Sequence, residues 1–167
     1  MKRGRTARQT SANGAGYRFA VVVSRFNIAI TKRLLNGAIE CLKQHGVRDE
    51  DVGVFPCPGA FELPQMANAL SSKGGWDAIV CLGAVIRGET PHFEYVASEA
   101  ARGIGEVALK RSIPVTFGVL TTDTQRQAMD RSGGKHGNKG WDAALAAIEM
   151  VEVFHRVMKR RKSIRTR

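Results

Sequence analysis

Three cysteines are too few, and too widely scattered, to organise this chain. Cys41, Cys57 and Cys81 form an odd set with no Cys-x-x-Cys pair, which argues against a disulfide framework or a zinc site and makes a reducing cytoplasm the expected compartment. Long apolar runs are missing too. Nothing approaches the roughly eighteen apolar residues of a membrane span. The basic start has no signal-peptide core, because Arg18 and Arg25 bracket the first hydrophobic run. Aromatics make up only 7% of the chain and none interleaves the charged ends, so a dedicated base-stacking nucleic-acid module is not expected.

Acidic residues are absent from both termini. Lys2, Arg3, Arg5 and Arg8 at the start, with Arg156, Lys159, Arg160, Arg161, Lys162, Arg165 and Arg167 at the end, account for 11 of the 26 basic residues. The interior from Gln9 to His155 then holds 15 basic residues against 15 acidic ones, so the body is formally neutral although the whole chain carries +11. The basicity belongs to two tails. Such runs are usually solvated and serve solubility or assembly, with salt-sensitive binding of RNA as the second reading.

What is present is a repeated alternation. Its 167 residues suit one domain, expected over residues 17–158, with a disordered basic tail over 1–16 and a second basic tail over 159–167. Apolar, β-branched runs at Phe19–Val23, Val52–Phe55, Ala78–Val85 and Val115–Leu120 predict strands buried on both faces. Helical patterns run from about Ile28 to His45, Phe61 to Ser72, Phe93 to Arg111, Thr124 to Arg131 and Lys139 to Arg160, the last behind an Asn138 cap. Strands alternating with helices imply right-handed crossovers and a parallel sheet covered on both sides. The expected fold is α/β, a three-layer, flavodoxin-like doubly wound sheet of four parallel strands.

The chemistry gathers at the strand ends. Each strand runs into a distinctive turn: Ser24-Arg25-Phe26-Asn27, Pro58-Gly59-Ala60-Phe61-Glu62, Arg87-Gly88-Glu89-Thr90-Pro91-His92 and Thr121-Thr122-Asp123-Thr124. In an open parallel sheet these turns share one edge, where ligands bind. Phe26 or Phe61 offers a flat surface to a ring, and Asn27 and Glu62 offer polar groups to its edge. Helix starts near Gly59 and Glu89 present unpaired N–H groups to an anion. His92 can exchange protons near neutral pH. A glycine-rich cationic segment, Arg131 to Gly140, lacks the Gly-Lys-Ser/Thr ending of a nucleotide phosphate loop but suits a phosphate monoester. Each residue alone has a bland reading: a cap, a core aromatic, a solvated cation, a turn.

Taken in order and in register, the four motifs resemble those of lumazine synthase. They are Ser24 to Asn27, Pro58 to Pro64, Gly83 to Phe93 and Lys135 to Gly140, and the likeness covers about Tyr17 to Phe154. The resemblance implies condensation of 5-amino-6-(D-ribitylamino)uracil with 3,4-dihydroxy-2-butanone 4-phosphate to 6,7-dimethyl-8-ribityllumazine, the penultimate step of riboflavin biosynthesis, with no cofactor and no metal. It implies that Phe26 stacks on the pyrimidine, that Asn27, Ala60, Phe61 and Glu62 place the ring and ribityl chain, and that Val85 and Ile86 line the pyrimidine site. Glu89 and Thr90 would hold the phosphate with Arg131, and His92 would shuttle protons. Phe117 and Lys139 would touch the pyrimidine, and with Arg131 would come from a neighbouring subunit.

The same resemblance implies a pentamer, in some members a capsid of twelve pentamers, and riboflavin synthase as a partner. The uninterrupted run from Arg131 to Lys139 favours the capsid. Gly134 departs from the threonine-like residue expected there. Two alternatives stand beside this reading: a non-catalytic flavodoxin-like module for a flavin or pterin, and a cargo- or RNA-binding shell protein acting through its tails.

Overall fold

In a computed structural model, which describes residues 12–164 and the side chains up to residue 158, four parallel strands form one sheet. The strands are β1 (Phe19–Ser24), β2 (Val52–Cys57), β3 (Ala78–Ile86) and β4 (Val115–Thr122), in the order β2-β1-β3-β4. Phe19 of β1 is level with Val52 on one side and Ala78 on the other. The helices are α1 (Ile28–Gln44), α2 (Leu63–Lys73), α3 (His92–Lys110), α4 (Gln125–Arg131) and α5 (Lys139–Ile164). The expected α/β architecture is the one observed.

Alternation along the strands sorts their side chains between two cores. Phe19, Val21, Val80 and Leu82 pack with α1, α4 and α5, whereas Ala20, Val22, Ile79 and Cys81 pack with α2 and α3. The expectation of burial on both faces holds for β1 and β3 but not for the edge strands. Val54 on β2 and Phe117 on β4 are more than two-fifths exposed, since only inner strands have helices over their whole length. That exposure on β4 matters below.

α1 and α5 meet closely, and two glycines make it possible. A Cβ on Gly140 would overlap the Leu34 carbonyl, and one on Gly37 would overlap the Asn138 amide. Asn138 caps α5 as the sequence suggested, its Oδ1 accepting from Gly140 N at 2.8 Å and from Trp141 N at 3.3 Å.

The ends of the body differ from expectation. Within residues 12–16, assigned above to the N-terminal tail, Ala12 and Gly14 are buried, and Gly14 N donates to His45 O at 2.8 Å. Small side chains let this stretch lie against Val47. At the other end α5 stays helical through Ile164, past the expected boundary at 158. The rest of both basic tails lies outside the described residues. Among the described residues no helix is long and apolar enough to cross a membrane.

The segment between α4 and α5, read from sequence as a loop, is a small antiparallel hairpin of β5 (Ser132–Gly134) and β6 (Gly137–Asn138). Gly133, at a bulge in β5, and Gly137, just after the turn, have positive φ values of 107° and 75°. Gly134 is required by space: a Cβ there would sit 2.8 Å from Asp130 Cα and from Met129 O. A threonine at this position would force the hairpin away from α4.

Candidate active site

The strand order reverses between β1 and β3, and a crevice of about 590 Å³ opens at their carboxyl ends. The turn after β1 shapes one wall. Asn27 adopts a left-handed conformation, φ 57°, which lets the chain fold back into α1 at once and leaves Phe26 standing out 71% exposed. The turn after β2 shapes the opposite wall through a short 3-10 turn, Ala60–Glu62, that sets Phe61 at the rim. One Glu62 carboxylate oxygen accepts from Gly59 N at 2.8 Å, fixing that turn. Ala84, Val85 and Ile86 line the apolar part of the crevice, and Gly88, Thr90 and His92 close it.

His92 is the first residue of α3, one position earlier than the sequence pattern placed the helix. It is exposed and lines the crevice. What holds its helix is a clamp. Arg87 reaches Glu94 in the first turn of α3 and Asp123 after β4, the latter at 2.8 Å, with its guanidinium 4.2 Å from the Phe93 ring centre. The Arg87 hydrogen bond holds the Glu94 carboxyl below the usual carboxylate range. Sequence could not reveal this clamp, because Asp123 lies 36 residues from Arg87.

Not every expected residue lines the crevice. Phe26, Ala60, Phe61, Glu62, Val85, Ile86, Thr90 and His92 do. Asn27 stands behind it, with Nδ2 donating to Ala84 O at 2.8 Å, and Glu89 is exposed on the adjoining loop. Tyr95, which received no role from sequence, lines the crevice and is 69% exposed. Its i+3 spacing from His92 on α3 was the available signal.

Phe117, Arg131 and Lys139 gather elsewhere, along the open edge of β4. They line a second cavity of about 560 Å³ that shares no residue with the first. Arg131 is half-buried, its Nη1 donating to Gln127 O at 3.1 Å, and Lys139 pairs with Asp142 at 2.7 Å. This cavity has the cations and the crevice has the histidine. Among the described residues no cluster of His, Cys, Asp and Glu is fit to hold a metal.

Most of the residues singled out from the sequence line one or other of the two cavities. Residues 16–155 match the 6,7-dimethyl-8-ribityllumazine synthase family. The chain belongs to that family. It is similar to a 6,7-dimethyl-8-ribityllumazine synthase of Chloroherpeton thalassium, at 51% identity over 137 residues that cover 82% of this chain and 88% of the relative. Membership in this lumazine synthase family makes the chain a transferase of riboflavin biosynthesis, and it favours neither the non-catalytic binder nor the cargo-shell alternative.

Proposed function

We propose that the chain condenses 5-amino-6-(D-ribitylamino)uracil with 3,4-dihydroxy-2-butanone 4-phosphate in the crevice at the ends of β1 and β3. The observation that carries this reading is the meeting of Phe26, Glu62, Val85 and His92 in one crevice of a chain belonging to this family. Phe26 stacks on the pyrimidine, Val85 and Ile86 cover its apolar edge, and Glu62 takes ribityl hydroxyls. Asn27 places the ring at one remove, by holding the Phe26 turn to β3. Ala60 and Phe61 bound the ribityl side. Thr90 and the loop backbone at Glu89 receive the phosphate.

The amine attacks the ketone to give a carbinolamine, which loses water to form an imine. Removal of the proton from the hydroxyl-bearing carbon next to the imine expels phosphate from the carbon beyond it, the enol so formed tautomerises to a new carbonyl, and that carbonyl condenses with the second amine to close the ring, releasing a second water. Each step moves a proton, and His92 accepts and returns it. Such general acid–base help is worth roughly 10²–10⁴ in rate. Both substrates are intrinsically reactive, so holding them together supplies much of the remainder.

Arg131, Lys139 and Phe117 act on the same substrates from a neighbouring subunit, because on their own chain they line a different cavity. Arg131 neutralises the phosphate while Phe117 and Lys139 touch the pyrimidine. The working unit is therefore a homo-oligomer, a pentamer in our reading, and the uninterrupted hairpin favours closure into a sixty-subunit capsid. The cytoplasm is the compartment, and riboflavin synthase, which consumes the lumazine, is the partner. Mixing purified protein with both substrates while following lumazine fluorescence and size together tests this. Product from a pentamer or larger supports it, an active monomer removes the shared site, and no product from an assembled protein removes the reaction.

A further inference from the structure

Arg33 lies on α1, about 100 positions before the hairpin, yet it holds that hairpin, which joins the two cations of the second cavity. Its Nε donates to Ser132 O at 3.1 Å and its Nη2 to Gly133 O at 3.2 Å. Its own carbonyl accepts from Asn138 Nδ2 at 2.8 Å. One residue therefore grips both strands of the hairpin: β5 directly after Arg131, and β6 directly before Lys139. Asn138 in turn caps α5 through Gly140 and Trp141. The side chain is half-buried, and the planar fork of a guanidinium suits two successive carbonyls, which an ammonium cannot span in the same way.

We infer that Arg33 is a positioning residue for the phosphate-bearing substrate, acting through Arg131. The hairpin joins the two cations that line this cavity, Arg131 and Lys139, and has little internal support of its own. β5 has three residues and β6 two, and two of the five are glycines at positive φ, so its intrinsic preference for one geometry is weak. Arg131 is the last residue of α4, and its backbone continues straight into the segment Arg33 grips. Loosening Ser132 and Gly133 lets Arg131 move by the fraction of an ångström that weakens a charge-assisted contact to an anion. Lys139 is less dependent on the Arg33 side chain, because the Asn138 cap holds it separately.

This inference rests on Arg131 being the phosphate ligand. The test uses the full chain, with steady-state kinetics in each substrate and inorganic phosphate as the binding probe in calorimetry. Arg33→Ala is expected to raise KM for the butanone phosphate, and Kd for inorganic phosphate, by about tenfold, while KM for the pyrimidine changes less than about twofold. In an Arg131→Ala background the same substitution adds nothing, because both changes remove one contact. Arg33→Lys recovers part of the loss and serves as the comparison if Arg33→Ala does not fold.

Unchanged phosphate affinity in Arg33→Ala, or an equal further loss in the Arg131→Ala background, overturns the role. So does a fall in kcat with both KM values unchanged. Absence of lumazine from the unsubstituted chain would sink the proposed reaction instead, and the inorganic phosphate comparison would still decide on Arg33.

Discussion

The side-chain amide of Asn27 donates to the carbonyl of Ala84 at 2.8 Å, joining the ends of β1 and β3 where the strand order reverses. The bond spans 57 residues and ties the Phe26 turn to the apolar wall of the crevice. The same residue has φ 57°, and its carbonyl accepts from Ile30 N and Thr31 N to begin α1. Its part-buried amide thus ties the Phe26 turn to the wall opposite.

Two substitutions separate the amide from the backbone. Asn27→Gly keeps the left-handed geometry and loses the bond, at about 1 kcal/mol. Asn27→Ala loses both, at about 1–2 kcal/mol more. Thermal unfolding of the two variants should rank them in that order. Equal melting temperatures would show that the turn carries no strain.

His92 and Arg131 should fail differently. His92→Ala is expected to lower kcat by about 10²-fold or more while leaving measurable turnover, since positioning survives. Arg131→Ala should act chiefly on KM for the butanone phosphate and cost more in kcat/KM. Refolding the two impaired variants together should raise activity above that of either alone if the crevice of one subunit is completed by the β4 edge of another. Hybrid oligomers with no recovered activity would place both residues in one subunit's site.

Gly140→Ala should be among the most damaging single-atom additions in the chain. The new methyl would overlap the Leu34 carbonyl, which belongs to helix backbone and has little freedom to retreat. A loss of about 1–3 kcal/mol is expected, read as a lower denaturant midpoint. Gly105→Ala on α3, where nothing lies within 4 Å, is the control and should be neutral or stabilising.

The thiols should be silent in the native protein. Burial pushes Cys81 and Cys41 up to about 12 and Cys57 up to about 11, from an ordinary 9.0. Because the raised values belong to the folded state, their contribution is fully present below pH 9 and declines as pH climbs towards 12. Alkylation at pH 8 should therefore proceed only through unfolding and match its rate. A fast-reacting fraction would show that one thiol is open in the native fold.

The amino-acid pattern determined the parallel sheet, because a run such as Ala78–Val85 is too apolar to face water on either side and too β-branched to prefer a helix. It also placed Phe26, Glu62 and His92, since each follows a strand, and strand ends in such a sheet share one edge whatever their separation in the chain. Local signals gave the Asn138 cap. The hairpin was not legible, because two- and three-residue strands rich in glycine carry no periodicity. Nor were the Arg87 clamp and the Arg33 brace, which join residues 36 and about 100 positions apart through side chains that would otherwise read as solvated surface. Tertiary structure showed that the candidate site residues of one chain line two separate cavities. Strand order put β4 at an open edge, where Phe117 of the strand, Arg131 at the end of α4 and Lys139 at the start of α5 line one cavity.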